Sequence, residues 1–373
     1  MLSGGGARAA YQVGFLRLLA REFPGVVPDI LTGVSAGGIN AAYLAARQEP
    51  FRDKVEDLAE IWRRIRIDHV FRVDLRDLAS RSVRWGGRLL AGGKYPLRPA
   101  RSMVDTDPLR ELLETMLEAV DGEIVGIAKS LQAGWLRAAA LTASSYTTGQ
   151  SVTWVQACQH CAIQTWERPQ RTSVACPLRV DHVLASSALP FFFPAVEVDG
   201  AWYGDGGIRL TSPLSPAVHL GARRIIAVST RYARTREEAQ RPAITSYPPP
   251  AQVGGVLYNA IFLDQLDADA FSLQQINRLV AKLPATERNG LRHIDLLLLR
   301  PSVDLGRLAN EYEPELPRAF RFLTRGLGTR ETRSNDMLSL VMFQSDYATR
   351  LIQLGEEDAA RRLADIRRFL EAT

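Results

Sequence analysis

The sequence predicts an α/β fold that begins with a loop, a helix, a strand, a tight turn and a second helix. The loop is Gly4-Gly5-Gly6-Ala7-Arg8, and apolar residues with helical spacing follow it up to Pro24-Gly25. The strand covers residues 27–32, and the alanine-rich second helix covers residues 39–47. Because consecutive parallel strands with a right-handed crossover end side by side, we expect the glycine loop to lie next to the tight turn.

The tight turn is Gly33-Val34-Ser35-Ala36-Gly37, with Gly38 directly behind it. Glycine two positions before and two positions after a serine suits a strand-to-helix turn that is too sharp for larger side chains. The serine oxygen is then exposed at a helix N-terminus, where backbone N–H groups stabilise developing negative charge. Ser35 is therefore a candidate nucleophile, supported by Gly33 and Gly37.

Periodicity and turn residues predict the later elements. We expect helices at 51–67, 109–120, 183–188 and 356–372, and strands at 136–142, 151–155, 196–198, 201–203, 224–229 and 294–299. Asp199-Gly200 marks a two-residue hairpin turn. Residues 68–105 are irregular and rich in arginine, and we expect a surface excursion that covers or flanks the site.

Composition and charge narrow the function classes. No run approaches the roughly 18 apolar residues of a membrane span, and the N-terminus lacks a signal-peptide pattern. The net charge of +5 suits docking on anionic lipid headgroups, whereas nucleic-acid binding needs a concentrated basic stripe that is not seen. Cys158, Cys161 and Cys176 form an odd set without a disulfide framework, which suits a reducing compartment. We expect a cytoplasmic protein, with peripheral membrane contact left open.

A serine nucleophile needs a base for its proton and donors for the oxyanion. One arrangement is a Ser-His-Asp triad on an α/β-hydrolase fold, but there several strands precede the nucleophile, and here only 34 residues precede Ser35. The histidines are His69, His160, His182, His219 and His293. The triad stays an alternative that no spacing supports.

The other arrangement is a dyad in which Asp205 is the base. Asp205 ends a predicted hairpin and precedes Gly206 and Gly207, which let the backbone approach closely. The Gly4-Gly5-Gly6 loop then supplies N–H donors beside Ser35, as an oxyanion hole requires.

Two rival sites fit parts of the pattern. Gly4-x-Gly6-x-x-Ala9 matches a dinucleotide fingerprint, but that fingerprint requires a complete preceding strand and an acidic residue after the second strand. A zinc set of Cys158, His160, Cys161 and Cys176 is also conceivable. Adjacent His160 and Cys161 would struggle to ligate one tetrahedral ion, so we expect neither a cofactor nor a metal.

Three motifs in this order resemble the patatin-like phospholipase family: Gly4–Arg8, Gly33–Gly37 and Asp205-Gly206-Gly207. The segment Ala185–Pro190 is similar to that family as well. The resemblance covers most of the chain and implies a central, mainly parallel sheet flanked by helices. The chain departs from the family at Ala9, where many relatives have glycine, and in the nearly absent strand before the first motif.

Carried over residue by residue, the resemblance implies a metal-free Ser-Asp dyad. Ser35 is the nucleophile, Asp205 accepts its proton, and the N–H groups of Gly5 and Gly6, together with Gly4, bind the oxyanion. The implied activity is that of a serine lipid acyl hydrolase of the phospholipase A or lysophospholipase type, acting on a phospholipid or another acyl-ester lipid. The alternatives are a lipid-binding or scaffolding protein with little turnover, and an acyltransferase.

The expected organisation is a catalytic domain over residues 1–232, a proline-rich connection over 233–253 and a mostly helical C-terminal region over 254–373. The last region is expected to pack on the catalytic domain and to add the strand near 294–299. Within the catalytic domain, Arg8 is expected to bind a phosphate, to steady the loop or to face solvent. Phe191, Phe192 and Phe193 either line an acyl pocket or pack in the core.

Overall fold

A computed structural model describes residues 1–72, 104–161, 163–240, 247–317, 320–321 and 334–371. Most of the predicted surface excursion, residues 73–103, lies outside the described residues. The same holds for residues 241–246 of the predicted proline-rich connection. On either side of residues 241–246, the connection contains helical segments that the sequence pattern did not predict.

The described residues form nine strands and fifteen α-helices around one main core. The strands are β1 (Ile30–Val34), β2 (Ala138–Ser145), β3 (Ser151–Ala157), β4 (Glu167–Arg168), β5 (Arg171–Ala175), β6 (Val196–Val198), β7 (Ala201–Asp205), β8 (Arg224–Val228) and β9 (Asp295–Leu299). The helices are α1 (Ala10–Glu22), α2 (Ala36–Ala46), α3 (Phe51–Arg63), α4 (Ile67–Val70), α5 (Asp107–Met116), α6 (Val125–Gln132), α7 (Val180–Ser187), α8 (Ser215–His219), α9 (Arg236–Gln240), α10 (Pro250–Tyr258), α11 (Gln265–Val280), α12 (Leu305–Tyr312), α13 (Asp336–Val341), α14 (Ser345–Arg361) and α15 (Leu363–Glu371). In the described part of the chain, none of the helices combines the length and the apolarity that crossing a bilayer requires.

Leu2 connects the two sheets of the fold. Seven strands form one sheet in the order β4-β5-β3-β2-β7-β6, with β1 also paired to β2, and β8 pairs with β9 in the other. Leu2 forms parallel bridges with Gly33 of β1 and with Val228 of β8. The residues just before the glycine loop therefore lie between β1 and β8, which brings the loop to the end of β1, as the predicted crossover requires.

The α/β class with flanking helices is confirmed, but the expectation of a mainly parallel sheet is wrong. Three strand pairs are parallel, namely β1–β2, β3–β5 and β8–β9, whereas β2–β3, β2–β7, β4–β5 and β6–β7 are antiparallel. The physical reason is the length of the connections, because tight turns join only antiparallel strands. Asp199-Gly200, for example, has φ values of 50° and 79° and makes the predicted hairpin turn between β6 and β7.

Several predicted boundaries shift. The first strand begins at Ile30 rather than at residue 27, since Pro28 lacks the N–H that a strand ladder uses. The last predicted helix is two helices, α14 and α15, and the first of them begins eleven residues earlier than 356, at Ser345.

Helix α14 packs tightly on α1. A Cβ atom on Gly14 would overlap the carbonyl of Ile352, and one on Gly355 would overlap the carbonyl of Tyr11. Glycine at both positions lets the two helix backbones approach closely. Because α1 follows the glycine loop directly, this contact braces the loop from the C-terminal part of the chain. The domain boundaries themselves stay a prediction.

The expectation that the cysteines form no disulfide is wrong for two of the three. Cys158 and Cys161 are disulfide-bonded, with Cα atoms 5.3 Å apart, and Cys176 is free. The turn that follows β3 brings the pair within the roughly 4.4–6.8 Å that a disulfide spans. Cysteine usage therefore does not favour a reducing compartment, and the bonded pair is removed from the zinc set considered above.

Candidate active site

Ser35 lies in a strained turn between β1 and α2. Its φ of 54° and ψ of −137° fall in a region that residues with side chains rarely adopt. A Cβ atom on Gly33 would overlap Gly37 and Gly38, and one on Gly37 would overlap the carbonyls that precede the glycine loop. The structure thus gives a steric reason for both glycines that flank the serine.

A hydrogen-bonded serine behind the turn holds Ser35 in place. The Ser35 N–H donates to the Ser186 hydroxyl at 3.0 Å, and that hydroxyl donates to the Thr142 carbonyl at 2.7 Å. Ser186 lies on α7 and is completely buried. Sequence reasoning did not assign it a role, although the segment Ala185–Pro190 carried part of the family resemblance.

Asp205 lies beside the same stretch of β2 as Ser35. Val34, which precedes the serine, pairs with Thr142, and the next residue of β2, Ala143, pairs with Asp205. The Asp205 Oδ1 atom accepts the Gly207 N–H at 2.8 Å. Its buried Oδ2 atom has no hydrogen-bond partner of good geometry among the described residues, although the Ser35 hydroxyl is close enough to influence the carboxyl group.

The glycines after Asp205 are also sterically required. A Cβ atom on Gly206 would overlap the carbonyl of Thr142, and one on Gly207 would overlap the ring of Phe262. Both glycines therefore let the backbone turn sharply at the carboxylate, as the sequence predicted.

Burial raises the pKa of Asp205 to about 7, while the nearby Ser35 hydroxyl and the hydrogen bond from the Gly207 N–H oppose this shift. The carboxyl group is 0% exposed, so desolvation of the charged form dominates. A carboxyl group that titrates near neutrality is a better proton acceptor than an ordinary aspartate.

The glycine loop lies against the serine. A Cβ atom on Gly4 would be 3.1 Å from the Cβ of Ser35. Gly5 and Gly6 have φ values of 146° and 54°, and a Cβ atom on Gly6 would overlap the backbone carbonyl of Leu340. Gly5 and Gly6 have backbone conformations that side chains rarely adopt, and at Gly6 the contact with α13 also excludes a side chain.

Three backbone amides of the glycine loop have no hydrogen-bond partner among the described residues. Gly4, Gly5 and Gly6 are all buried, and their N–H groups donate to no residue in the described part of the chain. Buried amides without partners are rare in folded proteins because each loses its hydrogen bond to water. Three of them next to a strained serine can stabilise a developing oxyanion.

Arg8 is buried rather than facing solvent. Its guanidinium forms a salt bridge with Asp336 at 2.6 Å and donates to the Ser339 hydroxyl at 2.6 Å. Both partners belong to α13, more than 300 residues away in the chain. In the structure Arg8 therefore fastens the glycine loop to the C-terminal region.

An apolar cavity of about 40 Å³ adjoins Ser35. Its lining consists of hydrophobic side chains from α2, α3, α5 and later segments, together with Gly6, Ser35 and Ser187. Of the three consecutive phenylalanines, Phe193 lines this cavity, Phe192 packs edge-on against Phe71, and Phe191 is 79% exposed. Core packing therefore describes Phe192, exposed Phe191 fits neither interpretation, and an acyl pocket beside Phe193 stays a prediction.

The histidines do not contribute to this cavity, because none of its lining residues is a histidine. His182 is buried and stacks on Trp154 with ring centroids 4.4 Å apart, and burial lowers its pKa to about 4. His219 stacks on Trp166, and exposed His293 pairs with Asp295. A triad finds no support in this geometry. Among the described residues, no group of three or more His, Cys, Asp or Glu side chains could hold a metal ion.

The chain belongs to the patatin-like phospholipase family. The family model described as "Patatin-like phospholipase" matches residues 1–218. No curated protein matches the sequence significantly.

Solved structures with a similar arrangement include VipD from Legionella pneumophila, at 12% identity and a TM-score of 0.38, covering 98% of this chain and 66% of that one. The type III effector ExoU is 15% identical with a TM-score of 0.38, and the match covers 99% of this chain and 53% of ExoU. Its complex with SpcU is known from Pseudomonas aeruginosa. Human GIVD cytosolic phospholipase A2, in complex with methyl gamma-linolenyl fluorophosphonate, is 15% identical with a TM-score of 0.45. The match covers 99% of this chain and 58% of the phospholipase. The chain thus spans between about half and two thirds of the length of these proteins.

Proposed function

We propose that this protein is a serine lipid acyl hydrolase in which Ser35 is the nucleophile and Asp205 the base. The observation that carries the proposal is the convergence, at the ends of β1 and β7, of a strained serine, a buried carboxyl group with a pKa of about 7, and a loop with three unpaired amides. Each is costly to the fold and serves acyl transfer. Family membership supports the same assignment.

In the first half-reaction the Ser35 oxygen attacks the ester carbonyl carbon while its proton passes to Asp205. The carbonyl oxygen becomes an oxyanion that accepts hydrogen bonds from the loop amides of Gly4, Gly5 and Gly6. Collapse of this intermediate breaks the bond to the alcohol, which leaves with the proton from Asp205. The acyl group remains on Ser35 as an ester.

In the second half-reaction Asp205 takes a proton from water, which attacks the acyl-enzyme. The oxyanion forms again at the loop amides, and its collapse returns the proton to Ser35 and releases the fatty acid. A carboxylate is a weak base towards serine, so the reaction depends on the dry surroundings of Asp205 and on the oxyanion donors.

The lining of the cavity next to Ser35 supports a substrate with an apolar chain. Apolar side chains from α3 and α5 line it, including Ile61, Leu109 and Met116. Such a surface binds a hydrocarbon chain through burial of apolar area, at roughly 25 cal/mol per Å². A fatty-acyl ester of a phospholipid or another lipid fits this chemistry, as in phospholipase A or lysophospholipase activity.

The test is covalent labelling by a fluorophosphonate probe, combined with hydrolysis of a lipid panel. Wild type should be labelled and should release fatty acid, and Ser35→Ala should lose both. Ser272→Ala is a matched control, because Ser272 is an exposed residue of α11 whose hydroxyl bonds the carbonyl of Ala268 within the same helix. An unlabelled wild type, or undiminished hydrolysis by Ser35→Ala, would exclude the mechanism.

The same panel separates hydrolysis from its alternatives. Lipid binding by wild type without fatty-acid release would favour a binding protein with little turnover. Transfer of the acyl group to an added alcohol or lysolipid in preference to water would favour an acyltransferase.

A further inference from the structure

We infer that Gln12 and Thr230 are positioning residues that aim the oxyanion-binding amides of Gly4 and Gly5, and that Asn40 holds Gln12 in place. The inference rests on the proposed function, because it assigns these residues a role in the same site. It goes beyond that function, since neither the sequence motifs nor the dyad involve these three side chains.

The argument starts from the planar peptide group. The carbonyl of one residue and the N–H of the next belong to the same rigid plane and point in opposite directions. A hydrogen bond that fixes the Ser3 carbonyl therefore fixes the direction of the Gly4 N–H. In the same way, a bond on the Gly4 carbonyl orients the Gly5 N–H.

Each of these carbonyls accepts a hydrogen bond from a buried side chain. The Gln12 Nε2 atom donates to the Ser3 carbonyl at 2.7 Å, and the Thr230 hydroxyl donates to the Gly4 carbonyl at 2.6 Å. Gln12 and Thr230 are both 0% exposed. The peptide plane between Gly5 and Gly6, which carries the Gly6 N–H, is fixed by the backbone, because the Arg8 N–H donates to the Gly5 carbonyl at 3.1 Å.

Asn40 supports Gln12 and the other end of the loop. Its Nδ2 atom donates to the Gln12 Oε1 at 3.1 Å and to the Ala9 carbonyl at 3.1 Å. Its Oδ1 atom accepts the indole N–H of Trp62 at 2.9 Å. Since Asn40 lies on α2, the helix that begins directly after Ser35, this contact sets the loop relative to the nucleophile.

This series of hydrogen bonds also reaches the apolar cavity next to Ser35. Trp62, which donates to Asn40, lines that cavity together with Phe343, and the two rings stack with centroids 6.5 Å apart. The wall that would contact the acyl chain and the loop that would bind the oxyanion are thus joined through Asn40 and Gln12.

The positions of these hydrogen bonds distinguish a positioning role from a purely structural one. Side chains from two different elements, α1 and the segment after β8, give the shortest hydrogen bonds to consecutive carbonyls of one short loop, and the Ser3 hydroxyl adds a longer one of 3.3 Å to the Gly4 carbonyl. The N–H groups on the opposite sides of those peptides are the ones without a partner in the described part of the chain. Hydrogen bonds that served only stability would not need to alternate with unpaired donors in this way.

The experiment compares near-isosteric variants. Thr230→Val and Gln12→Met keep the side-chain volume but remove the donor, and Thr230→Ser restores the hydroxyl. Thr32→Val is the matched control, because Thr32 is a buried threonine whose hydroxyl has no partner among the described residues. Each protein is assayed with a soluble short-chain ester and with a trifluoromethyl ketone, which mimics the tetrahedral oxyanion.

For Thr230→Val and Gln12→Met we expect kcat to fall about 10- to 100-fold with KM within about twofold of wild type, since a misdirected donor weakens only the transition state. Affinity for the ketone should fall by the same factor as kcat/KM. Thr230→Ser should recover most of the activity, and Thr32→Val should match wild type. Unchanged kcat and unchanged ketone affinity in both variants would overturn the inference while leaving the proposed function intact.

A second measurement keeps the inference testable even where wild type proves inactive. Hydrogen exchange of the peptide covering residues 2–10 should be faster in Thr230→Val and Gln12→Met than in wild type or Thr32→Val. Equal exchange in all four proteins would show that these side chains do not fix the loop.

Discussion

The backbone amide of Ser35 donates a hydrogen bond to the hydroxyl of Ser186 at 3.0 Å, so the N–H of the candidate nucleophile is already occupied. Because Ser186 in turn donates to the Thr142 carbonyl on β2, the serine turn is tied to the strand that also pairs with Asp205. The relative position of the two candidate catalytic residues is therefore set through β2. In the proposed mechanism the oxyanion donors therefore come from elsewhere, namely from the glycine loop.

Ser186→Ala should lower kcat about tenfold, because it leaves the Ser35 amide buried and unpaired and lets the turn relax. Ser130→Ala is the control, since Ser130 is also buried and donates to a backbone carbonyl, that of Arg47. Both variants should lose about 1 kcal/mol of unfolding free energy. Equal kcat in the two variants would contradict the link between Ser186 and catalysis.

The pH profile should report Asp205. Its pKa is raised to about 7 by burial, and the base must be ionised to accept the Ser35 proton. The value of kcat/KM for a soluble ester should therefore rise with pH and level off above a midpoint near 7. A flat profile from weakly acidic to weakly basic pH would show that Asp205 is not the base.

Asp205→Asn should stabilise the fold at alkaline pH while abolishing activity. The folded-state pKa of about 7 lies above the unfolded value of roughly 3.9, so the native state holds more protons between these values. Asp205 therefore contributes stability that is present at low pH and lost as pH rises through 7. Asparagine resembles the protonated form and avoids that loss.

Urea unfolding at pH 5 and pH 8 measures this effect, and the gain at pH 8 should be on the order of 1–4 kcal/mol. Asp346→Asn, at an exposed position on α14, should show no comparable change. A variant less stable than wild type at pH 8 would contradict the prediction.

Gly6→Ala should abolish activity and destabilise the protein more than Gly134→Ala does. Both glycines have positive φ values, 54° and 74°, so each substitution costs about 1 kcal/mol from backbone strain. At Gly6 the new methyl group would also overlap the Leu340 carbonyl. At Gly134 no atom of the described residues lies within 4 Å of the new methyl group. Thermal unfolding and ester hydrolysis of the two variants give the comparison.

Leu113→Phe should shift the preference towards shorter acyl chains. Leu113 is completely buried and lines the cavity beside Ser35, so a larger ring fills space that the end of an acyl chain would occupy. The ratio of kcat/KM for a butyrate ester to that for a decanoate ester should rise about tenfold.

Leu117→Phe provides the matched comparison for this cavity variant. Leu117 is equally buried but does not line the cavity. Both substitutions overpack the interior by about 1–3 kcal/mol, so only the ratio of the two esters separates them. An unchanged ratio of kcat/KM for the two esters in Leu113→Phe would mean that the acyl chain of the substrate binds elsewhere.

The sequence by itself determined the local features. The Ser35 turn, the Asp199-Gly200 hairpin and the glycines after Asp205 follow from short-range sterics, because each needs a small residue or a positive φ at a fixed position. The α/β order of the first elements follows from periodicity in the same way. These features suffice to name the candidate residues, and the structure then places Ser35, Asp205 and the glycine loop together.

Only the tertiary structure decided which distant groups meet. The direction of each strand pair depends on connection lengths and on register, so a mainly parallel sheet was a wrong expectation. Arg8 meets Asp336 across 328 residues, Gln12 meets Val228 across 216, and Thr230 meets Gly4 across 226. No local pattern marks such partners, since a buried hydrogen bond depends on the final geometry and leaves only an ordinary polar residue in the sequence.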